Sequence, residues 1–205
     1  MNHDCATFLL TLLCMIDGSN LLGGASIDTQ EIIESTRRWL ERAVIGLNLC
    51  PFALTPWRQD RIRFQTSLAT NPEQLAEDLV EELLGLQARD PAEYETSLLI
   101  HPGALNDFLD YNDFLDLADQ LLEELDLDGV IQIASFHPDY QFAGSSPDDP
   151  ANCTNRSPYP MLHLLREDSI AAATESLSDA SLIYERNIQT LRKLGLDGWR
   201  ALLEH

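Results

Sequence analysis

The chain has 205 residues, and its 34 acidic and 13 basic side chains give a formal net charge of −21 at pH 7. A hydrophobic share of 44% is enough for a buried core and excludes general disorder. The charge argues against nucleic acid and anionic membrane surfaces as partners, because both are negatively charged and would repel the protein. Composition therefore indicates an acidic globular protein without indicating its function.

The first 27 residues are expected to form an N-terminal extension outside the core. Their apolar run, residues 7–16, is shorter than the stretch of about 20 residues that spans a bilayer. It also lacks the positive flank of a secretory signal, since Asp4 precedes it. The four cysteines show no CxxC spacing, which favours neither a disulfide framework nor a zinc knuckle. We therefore expect a cytoplasmic protein with one domain over residues 28–205.

Apolar periodicity predicts alternating helices and strands along this domain. The expected strands lie at residues 61–69, 94–100 and 129–136. Turn and capping residues place the expected helices at residues 28–49, 71–87 and 104–125, from Ser157 onward, and at residues 181–194. This order is typical of right-handed crossovers in an α/β fold. The prediction is a small three-stranded sheet, largely parallel or mixed, with flanking helices and a helical C-terminus.

Acidic residues are concentrated in one part of the chain. Residues 71–128 contain 17 carboxylates and a single arginine, Arg89, which gives a local charge of −16. On a helical wheel for residues 104–125, apolar and acidic side chains separate onto different faces. The acidic face is interpreted as solvated, and the alternative is a surface that binds a partner.

Two histidines follow successive predicted strands. His101 and His137 each precede a proline at a strand's carboxyl end. Ligands of open parallel sheets bind at that edge, so the two rings would face one site if their strands are neighbours. The structural alternative is that each histidine caps a turn before proline.

The segment from residue 135 to residue 168 is dense in polar groups and begins with a long irregular stretch, a feature that is often functional. Arg156 directly precedes the helix expected from Ser157, whose free amide groups would favour a small anionic ligand. The alternative is that Arg156 bridges loop carbonyls. The predicted ligand-binding residues are Arg156, Arg166, Asn155, Tyr140 and Tyr159.

His163 and Glu167 are four residues apart, which would place them on one face of that expected helix. Together with His101 and His137 they would form a ligand set suited to iron, zinc or manganese. An equally weighted alternative needs no metal and uses His137 or His163 as acid or base, oriented by Asp139 or Glu167. Cys50 is interpreted as a small buried apolar residue.

Several stretches resemble a known family of domains. The motifs are RRWL, NLCPF, LIHP, ASFHPDYQF and TNRSPYPMLHLLRE, spread over about residues 30–195. They are similar to a mostly bacterial domain of unknown function, number 1415. This resemblance implies a single-domain soluble protein and implies no activity, cofactor or site.

The sequence suggests two alternative functions. The first is an enzyme acting on a small anionic molecule at a histidine- and arginine-rich site on the carboxyl edge of the sheet. The second is a non-catalytic binding or scaffold protein that uses its acidic helix face, with the NRSPYP segment as an internally bonded plug. The substrate and the oligomeric state are left open.

Overall fold

A computed structural model describes residues 28–174 and 181–203. The predicted extension, residues 1–27, lies outside the described residues. In chain order the elements are α1 (Thr29–Trp39), a π-helical turn (Leu40–Ile45), α2 (Leu54–Arg58), β1 (Ile62–Thr66), α3 (Pro72–Ala88), β2 (Thr96–Ile100), α4 (Phe108–Glu124), β3 (Ile131–Phe136), a 3-10 helix (Pro150–Thr154), β4 (Met161–Arg166), α5 (Glu167–Thr174) and α6 (Ser181–Leu203).

The capping signals in the sequence explain where the helices begin. Side chains of Asp28, Asn71 and Asp107 accept hydrogen bonds from the first-turn amides of α1, α3 and α4. Gly195, the predicted end of the last helix, interrupts α6 with φ 71° and ψ 170°, a conformation that disfavours residues with a Cβ. No helix in the described part of the chain is long and apolar enough to cross a membrane.

The four strands of the described residues form one mixed sheet in the order β1-β2-β4-β3. Strand β2 runs parallel to β1, whereas β4 runs antiparallel to both β2 and β3. The expectation of a mixed α/β fold is confirmed, and the three predicted strands are present. The predicted strand count of three is wrong, because β4 joins the sheet between β2 and β3.

The helix predicted from Ser157 is also wrong. Residues 161–166, MLHLLR, form β4, and the helix begins only at Glu167. A short apolar run fits a buried strand and a buried helix equally well by periodicity. Both faces of β4 are covered, so it shows no polar alternation that would reveal a strand.

Helices cover the sheet on both faces. On one face, α3 and α4 pack their leucines and aromatic side chains against β2, β3 and β4. On the other face, α1, the π-helical turn and α6 surround Trp39, Leu98 and Met161.

The acidic side chains assigned to the outer faces of α4 are exposed, as predicted: Asp110, Asp113, Asp116, Asp119 and Glu123.

Tyr111 of α4 ties the ends of β3 and β4 together. Its buried hydroxyl donates to the carbonyl of Met161 at 2.9 Å and accepts from the amide of Phe136 at 3.0 Å. These two residues are register partners at the end of the ladder. One hydroxyl therefore satisfies two backbone groups that water cannot reach easily.

Removing this hydroxyl leaves both backbone groups without their partner. We expect Tyr111→Phe to lower the free energy of unfolding by about 1–3 kcal/mol, measured by urea denaturation. Tyr184→Phe is the matched control, because Tyr184 is 51% exposed and should change stability little. Equal effects of the two substitutions would contradict this role for Tyr111.

Candidate functional site

The two histidines at the carboxyl edge of the sheet belong to one aromatic stack. Tyr111 lies between them, with ring centroids 5.8 Å from His101 and 5.1 Å from His137. Both imidazoles are fully buried. The structure therefore places His101 and His137 on the α3–α4 face and packs them inside the protein. Their strands are not neighbours, as the strand-end argument required, because β4 lies between β2 and β3.

Backbone groups hold both rings in place. Nδ1 of His101 lies 3.0 Å from the carbonyl oxygen of Ala104, and Nε2 of His137 lies 3.2 Å from that of Leu105. The amide of Asp139 donates to Nδ1 of His137, so the Asp139 backbone orients that ring while its side chain is exposed. Nε2 of His101 is buried without a hydrogen-bond partner.

Burial keeps these imidazoles neutral. It lowers the pKa of His101 to about 4 and also lowers the pKa of His137. A neutral imidazole suits a packed interior, because an ionised ring would lose its hydration; at His137 this cost outweighs the attraction of Asp139 and Asp107. This pair is therefore part of the core rather than an accessible acid or base.

His163 lies on the opposite face of the sheet. It pairs in register with Leu98 of β2 and Ala134 of β3, and Leu98 belongs to the core on the α1 side. Its Nε2 is 2.7 Å from the hydroxyl of Thr96, and its ring contacts Phe136. Burial lowers the pKa of His163 to about 4, so it too is neutral at pH 7.

The predicted metal-ligand set is not assembled. His101 and His137 lie on one face of the sheet and His163 on the other, while Glu167 follows β4 at the opposite edge. The proposed helical His163–Glu167 pair does not exist, since His163 is in a strand. Among the residues that the structure describes, no cluster of three or more His, Cys, Asp or Glu could hold a metal ion.

The irregular segment after β3 is held by its own polar groups. Nε and Nη2 of Arg156 donate to the carbonyls of Tyr140 and Pro147 at 3.1 and 2.8 Å. The buried Asn152 side chain accepts from the amide of Phe142 and donates to the carbonyl of Ser146. This arrangement matches the bridging alternative for Arg156, and its anion-binding role stays a prediction.

The other predicted ligand-binding residues are dispersed. Nη2 of Arg166 donates to the carbonyls of Leu86, Arg89 and Tyr94 near the end of α3. The Asn155 side chain donates to the carbonyl of Ser135. Tyr140 packs on Phe108 and Phe142, whereas Tyr159 contacts the core of the other face.

A cavity of about 550 Å³ lies on the His163 face of the sheet. Its wall is formed by the sheet, α1, the π-helical turn, the segment that follows this turn and α5. Most of the lining side chains are apolar, among them Trp39, Leu40, Val44, Phe52, Leu98 and Phe136. A volume and lining of this kind are typical of small-molecule sites.

Polar and charged side chains are a minority of the residues that line this cavity. His163, Thr96 and the half-buried Cys50 line it, and burial raises the pKa of the Cys50 thiol. Sequence reasoning identified His163 but assigned it to a helix and to a site shared with His137, and it missed Thr96 altogether. A threonine at the start of a strand carries no signal of its role until its cross-strand neighbour is known.

A sequence model described as "Protein of unknown function (DUF1415)" matches residues 31–201. The chain belongs to this family. The match confirms the resemblance seen in the motifs, and it includes every residue that lines the cavity. No curated protein and no solved structure matches the chain.

The buried histidines predict a pH-dependent stability. Because the pKa of His101 is about 4 in the folded chain, against about 6.5 when unfolded, the unfolded state binds more protons at mildly acidic pH. The contribution of neutral His101 to the free energy of unfolding is fully present above about pH 6.5. It is lost as the pH falls toward 4, and the free energy of unfolding then decreases by up to about 1.4 kcal/mol per pH unit.

Urea unfolding between pH 7.5 and pH 5 measures this slope. We expect His101→Phe, which can still stack on Tyr111 but cannot titrate, to show a smaller loss of stability over that range than the wild-type chain. Comparing the two slopes removes the contribution of the many carboxylates. Identical slopes would show that His101 is protonated to the same extent in both states.

The arginine of the loop gives a second prediction at this site. If Arg156 acts through its carbonyl contacts, Arg156→Lys should lower the free energy of unfolding by about 1–3 kcal/mol, because a lysine cannot reach both carbonyls in the same geometry. Thermal unfolding with and without inorganic phosphate at constant ionic strength separates this role from anion binding. Phosphate protection that disappears in Arg156→Lys would instead support the anion site.

Proposed function

We propose that this protein binds a small, largely apolar molecule in the cavity on the His163 face of the sheet. The observation that supports this function best is the combination of a cavity of about 550 Å³, a mainly hydrophobic lining and one imidazole at its wall. Apolar surface transferred from water into such a cavity would provide the binding free energy, and His163 would fix the orientation of the ligand.

The charges around the cavity favour a ligand without a strong negative charge. Its ionisable lining residues, apart from His163 and Cys50, are Glu95, Arg166 and Asp168. Glu95 is paired with Arg61 at 2.8 Å, and Nη2 of Arg166 donates to backbone carbonyls. Because two of these three residues are acidic, an anion would gain little here, and the proposal departs from the anionic ligand expected from the sequence.

An enzymatic role would use the same cavity. His163 is the histidine of the described residues that lines this cavity, so it is the residue that would accept or donate a proton there. The scaffold hypothesis rests on the exposed acidic face of α4 and stays a prediction. The cavity is the stronger basis, since a solvated acidic helix face needs no partner to be stable.

Filling the cavity provides the test. Ala173 of α5 lines it, whereas Ala171 on the same helix is exposed and does not. With the full chain and the neutral dye Nile red as probe, we expect saturable binding that Ala173→Phe weakens about tenfold or more, since a clash of about 1.4 kcal/mol is a tenfold change.

Ala171→Phe is the matched control and should keep the wild-type affinity. Fluorescence titration gives the dissociation constants, and circular dichroism checks that both variants are folded. The proposal would fail if the wild-type chain showed no saturable binding, or if both substitutions changed the affinity equally.

A further inference from the structure

We infer that the cavity selects an uncharged ligand that presents a hydroxyl or amide N–H group to Nδ1 of His163, and that Thr96 is the residue that positions this acceptor. The inference rests on the proposed function and specifies its ligand class. It depends on the direction of two hydrogen bonds and on the polar groups around the imidazole.

The hydroxyl of Thr96 determines which nitrogen of His163 carries the proton. Oγ1 of Thr96 lies 2.6 Å from the carbonyl oxygen of Leu164 and 2.7 Å from Nε2 of His163. A carbonyl can only accept, so the single hydroxyl proton is donated to Leu164. The hydroxyl must then accept from His163, which places the imidazole proton on Nε2 and leaves a lone pair on Nδ1.

That lone pair is the hydrogen-bonding position that the imidazole leaves for a ligand. Nδ1 of His163 makes no hydrogen bond to any residue that the structure describes, and the His163 side chain lines the cavity. Burial keeps the ring neutral, because it lowers the pKa of His163 to about 4. The site therefore offers an acceptor to the ligand, and a ligand with a donor group is its complement.

The same surroundings disfavour charged ligands. A carboxylate or phosphate would face the Nδ1 lone pair and the acidic Glu95 and Asp168, while Nη2 of Arg166, the cationic lining residue, already donates to backbone carbonyls. A cation would lose its hydration among apolar side chains while Glu95 is already paired with Arg61. An uncharged ligand avoids both penalties. One that lacks a donor leaves Nδ1 unpaired, which a site of this kind penalises.

Three small aromatic probes with the same ring system test this selectivity at pH 7.5. We expect 2-naphthol to displace Nile red at a concentration at least about tenfold lower than 2-methoxynaphthalene does, with 2-naphthoate the weakest. The methyl ether keeps the oxygen but loses the donor. Equal affinity for the alcohol and the ether would overturn the inference while leaving the proposed function intact. Failure of Nile red itself to bind would overturn the proposed function.

Thr96→Val tests the positioning role. The change keeps the shape of the side chain but frees both ring nitrogens to carry the proton, so the preference for 2-naphthol over its ether should fall below about threefold. Affinity for the ether should rise, because its oxygen can accept a hydrogen bond from a proton on Nδ1. Thr154→Val is the matched control, because the Thr154 hydroxyl also donates to a backbone carbonyl, that of Ala151, but Thr154 does not line the cavity, and the variant should keep the full preference.

A measurement on the wild-type chain keeps the inference testable if Thr96→Val does not fold. Nitrogen-15 spectroscopy of the His163 ring distinguishes its two neutral tautomers directly. We expect the proton on Nε2 at pH 7.5, with a shift at Nδ1 when 2-naphthol is added. A proton on Nδ1, or no response to 2-naphthol, would overturn the inference.

Discussion

The candidate site depends on the insertion of β4 between β2 and β3. The facing edges of these two strands expose backbone amides and carbonyls that a third strand must satisfy, and β4 does so in an antiparallel register on both sides. Side chains alternate along β4, so this register decides their surroundings: Leu162 and Leu164 face α3 and α4, and His163 faces the cavity. A slip of one residue would exchange these faces.

Many polar side chains in this fold form hydrogen bonds within the protein. Tyr111 forms hydrogen bonds with the backbone at the ends of two strands, and Arg166 donates to carbonyls near the end of α3. Arg63 donates to the buried Glu82 at 2.8 Å, which also accepts from Ser97. Such groups are costly to leave unpaired, so their partners restrict where a ligand can find a free donor or acceptor.

The net charge and the cavity belong to different parts of the molecule. The exposed carboxylates of α4 keep their hydration on the face of the sheet away from His163, whereas the cavity on the other face is mostly apolar. The acidic composition therefore describes the solvent-exposed helices. It says little about the proposed ligand, whose class we infer from His163 and the hydrophobic residues around it.

The sequence alone predicts the helix starts at Asp28 and Asn71 and three of the strands, because these follow from local capping and periodicity. It also places His101 and His137 at the same edge of the sheet, but β4 separates their strands and Tyr111 of α4 links the two rings. It did not determine that residues 161–166 form a strand, since their apolar run fits either element. The pairing of β4 with distant strands places His163 on the opposite face, where it lies beside Thr96, a residue 67 positions away. Long-range pairing leaves no local pattern in the chain, so the cavity and its imidazole became visible only in the folded protein.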